Sequence, residues 1–236
     1  MQKYIDAHCH ILSDAQMRDA VAHGVGHFIV NATRPSDWVA VVEMAARENV
    51  SGAIGVHPWY VSELQDDWDS ELINALATHN GLMIGEIGLD KNHSDFELQQ
   101  SAFCRQLQIA HDMQRAVHIH CVGAWGKCMD ILRAVNLPPV MVFHAFSGAP
   151  ELVPELVEMG AYFSFGASVC DKNHLRSRAA ASVVPISRIL VESDTVSPDV
   201  IPNIVAEIAH IRGVDLEQMA EIIYNNTMGL LNDRKI

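Results

Sequence analysis

Six short segments of the 236-residue chain carry side chains able to bind a metal or move a proton. They are Asp6-Ala7-His8-Cys9-His10, Gly55-Val56-His57-Pro58, Gly85-Glu86-Ile87-Gly88-Leu89-Asp90, His120, His144 and Glu192-Ser193-Asp194. Imidazole nitrogen with carboxylate oxygen is the donor mixture that suits a divalent transition ion. Each group also has a plainer reading. A buried His on a strand is more often a hydrogen-bonded core residue, and a strand-terminal acid is often the N-cap of the next helix. What favours metal is coincidence: four His, one Glu and one Asp recur at matching points of five strands. Without an ion, so many titratable groups buried together would be poorly satisfied.

The elements that must position these groups alternate between short apolar runs and helical periodicity, the pattern of parallel βα units. Strands are predicted at Tyr4–His8, His27–Ala32, Gly52–Val56, Met83–Glu86, Val117–His120, Val140–His144, Ala161–Phe165 and Ile189–Glu192. Trp38, Val41, Val42 and Ala45 make one helical stripe, and Ile201, Ile204, Val205, Ile208 and Ile211 make another. A period of two puts Asp6, His8 and His10 on one strand face. Every chemical group falls at the carboxyl end of its strand. Eight βα units predict a (β/α)₈ TIM barrel, in which these ends share one rim and strand one lies beside strand eight. An open doubly wound sheet would hold its first and last strands too far apart for a shared site. With no linker, repeat or low-complexity tract, residues 1–236 read as one barrel domain with an additional C-terminal helical segment.

Composition excludes several classes. No stretch of about 18 apolar residues is present, which argues against a membrane-spanning helix. The start of the chain lacks the apolar centre of a signal peptide. Five cysteines form no CxxC pair, so reduced thiols in a cytoplasm are expected. The formal charge of −13 disfavours tight, non-specific duplex binding, and two bound divalent ions would still leave the chain acidic. Arg34, Lys91, Lys127, Lys172, Arg176 and Arg178 fall in or near the expected rim loops, too few for a broad nucleic-acid groove. Gly123-Ala124-Trp125-Gly126-Lys127-Cys128 lacks the spacer and the Ser/Thr of a phosphate loop, and is expected to open a helix.

Taken in order, the six segments resemble the TatD family of metal-dependent hydrolases, a branch of the amidohydrolase superfamily. They extend from residue 6 to residue 194, and Asn225-Asn226-Thr227 resembles the family's tail more weakly. The resemblance implies that His8 and His10 bind one metal ion and that Glu86 bridges two. It further implies that His120 and His144 bind the second ion and that Asp194 completes the first. It implies deoxyribonuclease activity on phosphodiester bonds, with single-stranded DNA or DNA ends as substrate. Three departures concern substrate choice: Lys91-Asn92-His93 replaces an aromatic run, Thr195-Val196 replaces Ser-Pro, and the following loop is short before Pro198 and Pro202.

The ligand set suits zinc, manganese, iron or nickel, and the family keeps magnesium open. Two ions about 3.5–4 Å apart can share a water, lower its pKa and clamp phosphoryl oxygens, with Asp194 accepting or steering the proton. His57 is expected to contact substrate or donate a proton, or else to pack beside Pro58 and Trp59. Asp6 is expected to orient a ligand His from deeper in the barrel. His118 is expected in the core or behind a ligand, while Asp90 either caps a helix or touches the site. Two further functions stay open: hydrolysis of a small ester, lactone, amide or aminoacyl bond on the same scaffold, and non-catalytic metal binding. A positioned proton acceptor such as Asp194 argues against the last, because structural sites have closed coordination.

Overall fold

The computed structural model of the chain describes residues 4–194 and 197–232, so Thr195 and Val196 lie outside the described residues. Eight strands alternate with helices: β1 (Tyr4–Cys9), α1 (Asp14–Ala22), β2 (Val25–Asn31), α2 (Trp38–Ala45), β3 (Val50–Ile54), α3 (Trp68–Thr78), β4 (Met83–Asp90), α4 (Phe96–Asp112), β5 (Val117–Val122), α5 (Trp125–Ala134), β6 (Met141–Phe143), α6 (Val153–Glu158), β7 (Ala161–Phe165), α7 (Leu175–Val183), β8 (Ile189–Val191), α8 (Ile201–Arg212) and α9 (Leu216–Asn232). The strands belong to one sheet in the order β1 to β8. This is the expected (β/α)₈ barrel class, and α9 is the additional C-terminal helical segment. By contacts the chain divides into two compact units, Met1–Ile29 with His144–Ile236, and Val30–Phe143.

In the first unit β7 and β8 run parallel, with Phe163 opposite Ile189 and Phe165 opposite Val191. β1 meets the end of β8 through a parallel bridge between Cys9 and Asp194, and the Asp194 N–H donates to the His8 carbonyl at 2.9 Å. Ser13 starts α1 with a capping box: its hydroxyl accepts the Gln16 N–H while the Gln16 side chain accepts the Ser13 N–H. The predicted stripe on α8 buries Ile201, Ile204, Val205 and Ile208, and Gly213 ends the helix at φ +63°, the left-handed cap that glycine adopts without strain. From α9, Asn226 donates to the Ile186 and Ile189 carbonyls at 2.8 and 2.9 Å and so anchors the start of β8.

The second unit holds β3 to β6, paired parallel in sequence. All eight residues of β4 are buried, as expected of a parallel strand covered on both faces. β4 continues four residues past the expected end at Glu86. The extension depends on Gly88, which lies opposite His120 at φ +142°; a Cβ there would stand 2.0 Å from the His120 carbonyl oxygen. Only glycine lets β4 and β5 approach so closely. On α2, Met44 is buried with Trp38 and Val41, whereas Val42 and Ala45 line a surface cavity of about 510 Å³. α5 begins at Trp125, so Gly123-Ala124 is indeed the turn into a helix.

Candidate functional site

The first unit builds its cluster on the ends of β1 and β8. His8 is fully buried, and its ring stacks on that of His144 with centroids 4.2 Å apart. His10 follows the strand and stands edge-on to His8 at 5.4 Å. Asp194 brings a carboxylate oxygen within 3.4 Å of His10 Nε2, with both side chains about 30% exposed and therefore open to solvent. Asp194 has φ +53°, a left-handed conformation that Asp tolerates better than most residues. Two carboxylates act from behind. Asp6 accepts the Ser193 N–H at 2.9 Å and the Ser193 hydroxyl at 2.5 Å, and so holds the turn that presents Asp194. Burial pushes the Asp6 carboxyl up to about 7, against the lowering effect of the bonds from Ser193. Glu192, fully buried, accepts the Ala145 N–H at 2.6 Å and lies 3.4 Å from His144 Nδ1. Asp6 was expected to orient an imidazole; its carboxylate serves the backbone and hydroxyl of Ser193 instead.

The second unit builds its cluster around Glu86. The β4–β5 register shifts between Ile84 and Ile87, an irregularity of the kind that re-aims a side chain. Gly85 makes room for it, since a Cβ there would lie 2.7 Å from Asn31 Oδ1 and 2.8 Å from His118 Cβ. Glu86 is 2% exposed, and its Oε1 lies 2.9 Å from His120 Nδ1 and 3.2 Å from His57 Nε2. His120 Nε2 faces Asp90 Oδ2 at 3.3 Å. Asp90 also accepts the Trp59 indole N–H at 2.7 Å and the Asn92 N–H at 2.9 Å. Burial pushes the Asp90 carboxyl up, but the hydrogen bonds from His120, Trp59 and Asn92 outweigh it and hold the group well below the usual carboxylate range.

The two imidazoles beside Glu86 differ in their surroundings. His57 Nδ1 accepts the Trp59 backbone N–H at 3.2 Å, so in the neutral ring the proton sits on Nε2, pointing at Glu86. His120 instead lies between two carboxylates, with Nδ1 2.9 Å from Glu86 Oε1 and Nε2 3.3 Å from Asp90 Oδ2. A carboxylate behind a ring nitrogen is the usual support of a metal-ligating His.

In each unit, three donor atoms lie within 4.8 Å of one another: His8, His10 and Asp194 in the first, and His57, Glu86 and His120 in the second. Imidazole and carboxylate in these proportions fit a divalent ion. The structure therefore groups His8, His10 and Asp194, with His144 against His8, and it groups Glu86, His120 and His57. His118 is fully buried on β5, and Asp90 touches the cluster rather than capping a helix. Sequence reasoning missed the backing residues Gln99 and Gln106. Gln99 pairs with the backbone N–H and carbonyl of Asp90, and Gln106 does the same for Val56, each bond between 2.7 and 3.1 Å. The signal was present: both are polar residues seven apart on the apolar face of α4, among Ala102, Phe103, Leu107 and Ala110.

Comparison with known proteins places this geometry in context. The pattern of the TatD related DNase family matches residues 5–232. The uncharacterized metal-dependent hydrolase YjjV of Escherichia coli (strain K12) is 26% identical over 98% of each chain. Its crystal structure superposes with a TM-score of 0.92. The 3'-5' ssDNA/RNA exonuclease TatD of Escherichia coli (strain K12) is 32% identical across 70% of this chain and 72% of its own. A TatD family hydrolase from Entamoeba histolytica, 19% identical with a TM-score of 0.83, shares the fold. Among the described residues no helix is long and apolar enough to cross a membrane.

Proposed function

Given that the chain belongs to the TatD related DNase family and is thus a metal-dependent hydrolase, we propose that it cleaves phosphodiester bonds in single-stranded DNA, working from a strand end. The observation that carries this reading is that each unit supplies its own imidazole–carboxylate cluster, buried in the second and partly open to solvent in the first. Two ions bound there would activate a water and neutralise charge on the phosphoryl oxygens. Zinc or manganese suits the imidazole-rich donors, and magnesium is the third candidate.

The chain's own residues divide the work. By the family pattern, His8 and His10 would hold one ion with Asp194, His120 and His144 would hold the other, and Glu86 would serve both. Asp194 would take the proton of the attacking water, because it is the carboxylate of the first cluster and is partly exposed. His57, which the family pattern does not use as a ligand, would keep Nε2–H as a donor, first to Glu86 and then to a phosphoryl oxygen. Asp90 and Glu192 orient His120 and His144.

The test is cleavage of short single-stranded DNA with added manganese, zinc or magnesium, comparing wild type with Glu86→Ala and Asp194→Asn. Metal content is measured on the same samples. Metal-dependent cleavage abolished by both substitutions is the expected result. Stoichiometric metal without cleavage would overturn the nuclease reading and favour a small ester, lactone, amide or aminoacyl substrate.

A further inference from the structure

Immediately beside the second cluster, Trp59 is 47% exposed although its indole N–H is held at 2.7 Å by the nearly buried Asp90. One edge of the ring is thus anchored and the plane is set, while much of its surface faces solvent. The imidazole of His93, exposed on the loop after β4, stacks on the indole with centroids 4.3 Å apart and planes 22° from parallel. The indole centroid stands 4.9 Å from the His57 ring and 6.3 Å from the His120 ring. Nearby, the Arg34 guanidinium covers the Tyr60 ring at 3.9 Å, and Lys91 follows Asp90 directly. A large aromatic surface left in water costs free energy, and here the fold fixes its orientation at the edge of the chemistry.

We propose that Trp59 and His93 form a stacking platform for one unpaired nucleobase of the substrate, the base next to the phosphate undergoing hydrolysis. The inference rests on the nuclease reading above and makes it more specific. A fixed aromatic plane accepts any base, because every base has a π face, and it selects against duplexes, whose bases are already stacked. It gives no advantage to an aliphatic ester. Trp59 also acts on the metal side: its N–H shares Asp90 Oδ2 with His120, so the residue that meets the base also holds the carboxylate behind His120.

The experiment compares binding of thymidine 5'-monophosphate with binding of 2-deoxyribose 5-phosphate to the metal-loaded protein, by isothermal titration. The two ligands carry the same phosphate and differ in the base. Wild type is expected to prefer the nucleotide by roughly 5- to 150-fold, the range that base–aromatic stacking supplies. Trp59→Leu should bring the ratio close to one, His93→Ala should reduce it, and Trp59→Phe should keep most of it despite losing the bond to Asp90. Equal affinity of wild type for the two ligands, including no binding of either, overturns the platform. So does a preference that survives Trp59→Leu. Oligonucleotide cleavage on the same samples separates the two proposals: preference without cleavage removes the nuclease reading alone, and cleavage without preference removes the platform alone.

Discussion

Replacing Gly88 with alanine should damage the second cluster more than its single added methyl suggests. The new Cβ would lie 2.0 Å from the His120 carbonyl oxygen, 2.9 Å from its carbon and 3.0 Å from its nitrogen, all backbone atoms that no rotamer change can move aside. In addition, φ +142° is a region essentially reserved for glycine, where another residue carries about 1–3 kcal/mol of strain. Overpacking of a close-packed interior adds about 1–3 kcal/mol. Together these give a loss of about 2–6 kcal/mol, a large share of the roughly 5–15 kcal/mol that holds a typical domain folded. Relief would come from displacing β5 at His120, which opens the 2.9 Å approach of His120 Nδ1 to Glu86. Urea denaturation followed by far-ultraviolet circular dichroism, together with metal content, reads both effects. Gly126→Ala in α5 is the control: nothing lies within 4 Å of its Cβ position, and alanine there should stabilise by about 1 kcal/mol. A Gly88→Ala protein within about 0.5 kcal/mol of wild type and with full metal content would refute the close-approach argument, since strain alone exceeds that value.

Three other substitutions probe the backing groups. Gln106→Leu strands the Val56 N–H and carbonyl in the interior, and should cost about 2–6 kcal/mol by denaturant midpoint, at about 1–3 kcal/mol for each unsatisfied group. Asp90→Asn should leave the fold intact while weakening metal binding at the second cluster about 10- to 100-fold, as measured against a competing chelator. Asp6→Ala removes both acceptors of Ser193 and should lower activity more than Ser193→Ala, which keeps the backbone bond; equal effects would show that the N–H contact to Asp6 is dispensable.

The strand ends were legible because most combined an apolar run with a titratable residue at or just beyond the end, and seven of the eight expected strands coincide with the observed ones to within two residues at each end. β4 was missed by four residues because Gly-Leu-Asp reads as a turn, and only the pairing with β5 shows that Gly88 is there for closeness. β6 and β8 are shorter than expected, since His144 and Glu192 leave the ladder to carry side chains into the first cluster. The departures at the backing layer share one cause. Asp6, Asp90, Gln99 and Gln106 work through partners 5 to 187 positions away, and no local period records such a partner. Thr195 and Val196, which bear on substrate choice, lie outside the described residues.

The clasp between Asp6 and Ser193 also sets a schedule. The residues it joins are 187 positions apart, so the ribosome must make nearly the whole chain before His8, His10 and Asp194 can meet. The second cluster has a different history: His57, Glu86 and His120 lie within the continuous stretch Val30–Phe143, and its parts emerge in one run. At roughly 5–20 residues per second, the 74 residues between His120 and Asp194 take several seconds to synthesise. The nascent protein therefore passes through an interval in which His57, Glu86 and His120 have all been made while Asp194 has not. Under the proposed assignment of the proton-accepting role to Asp194, hydrolytic competence arrives only near the end of translation.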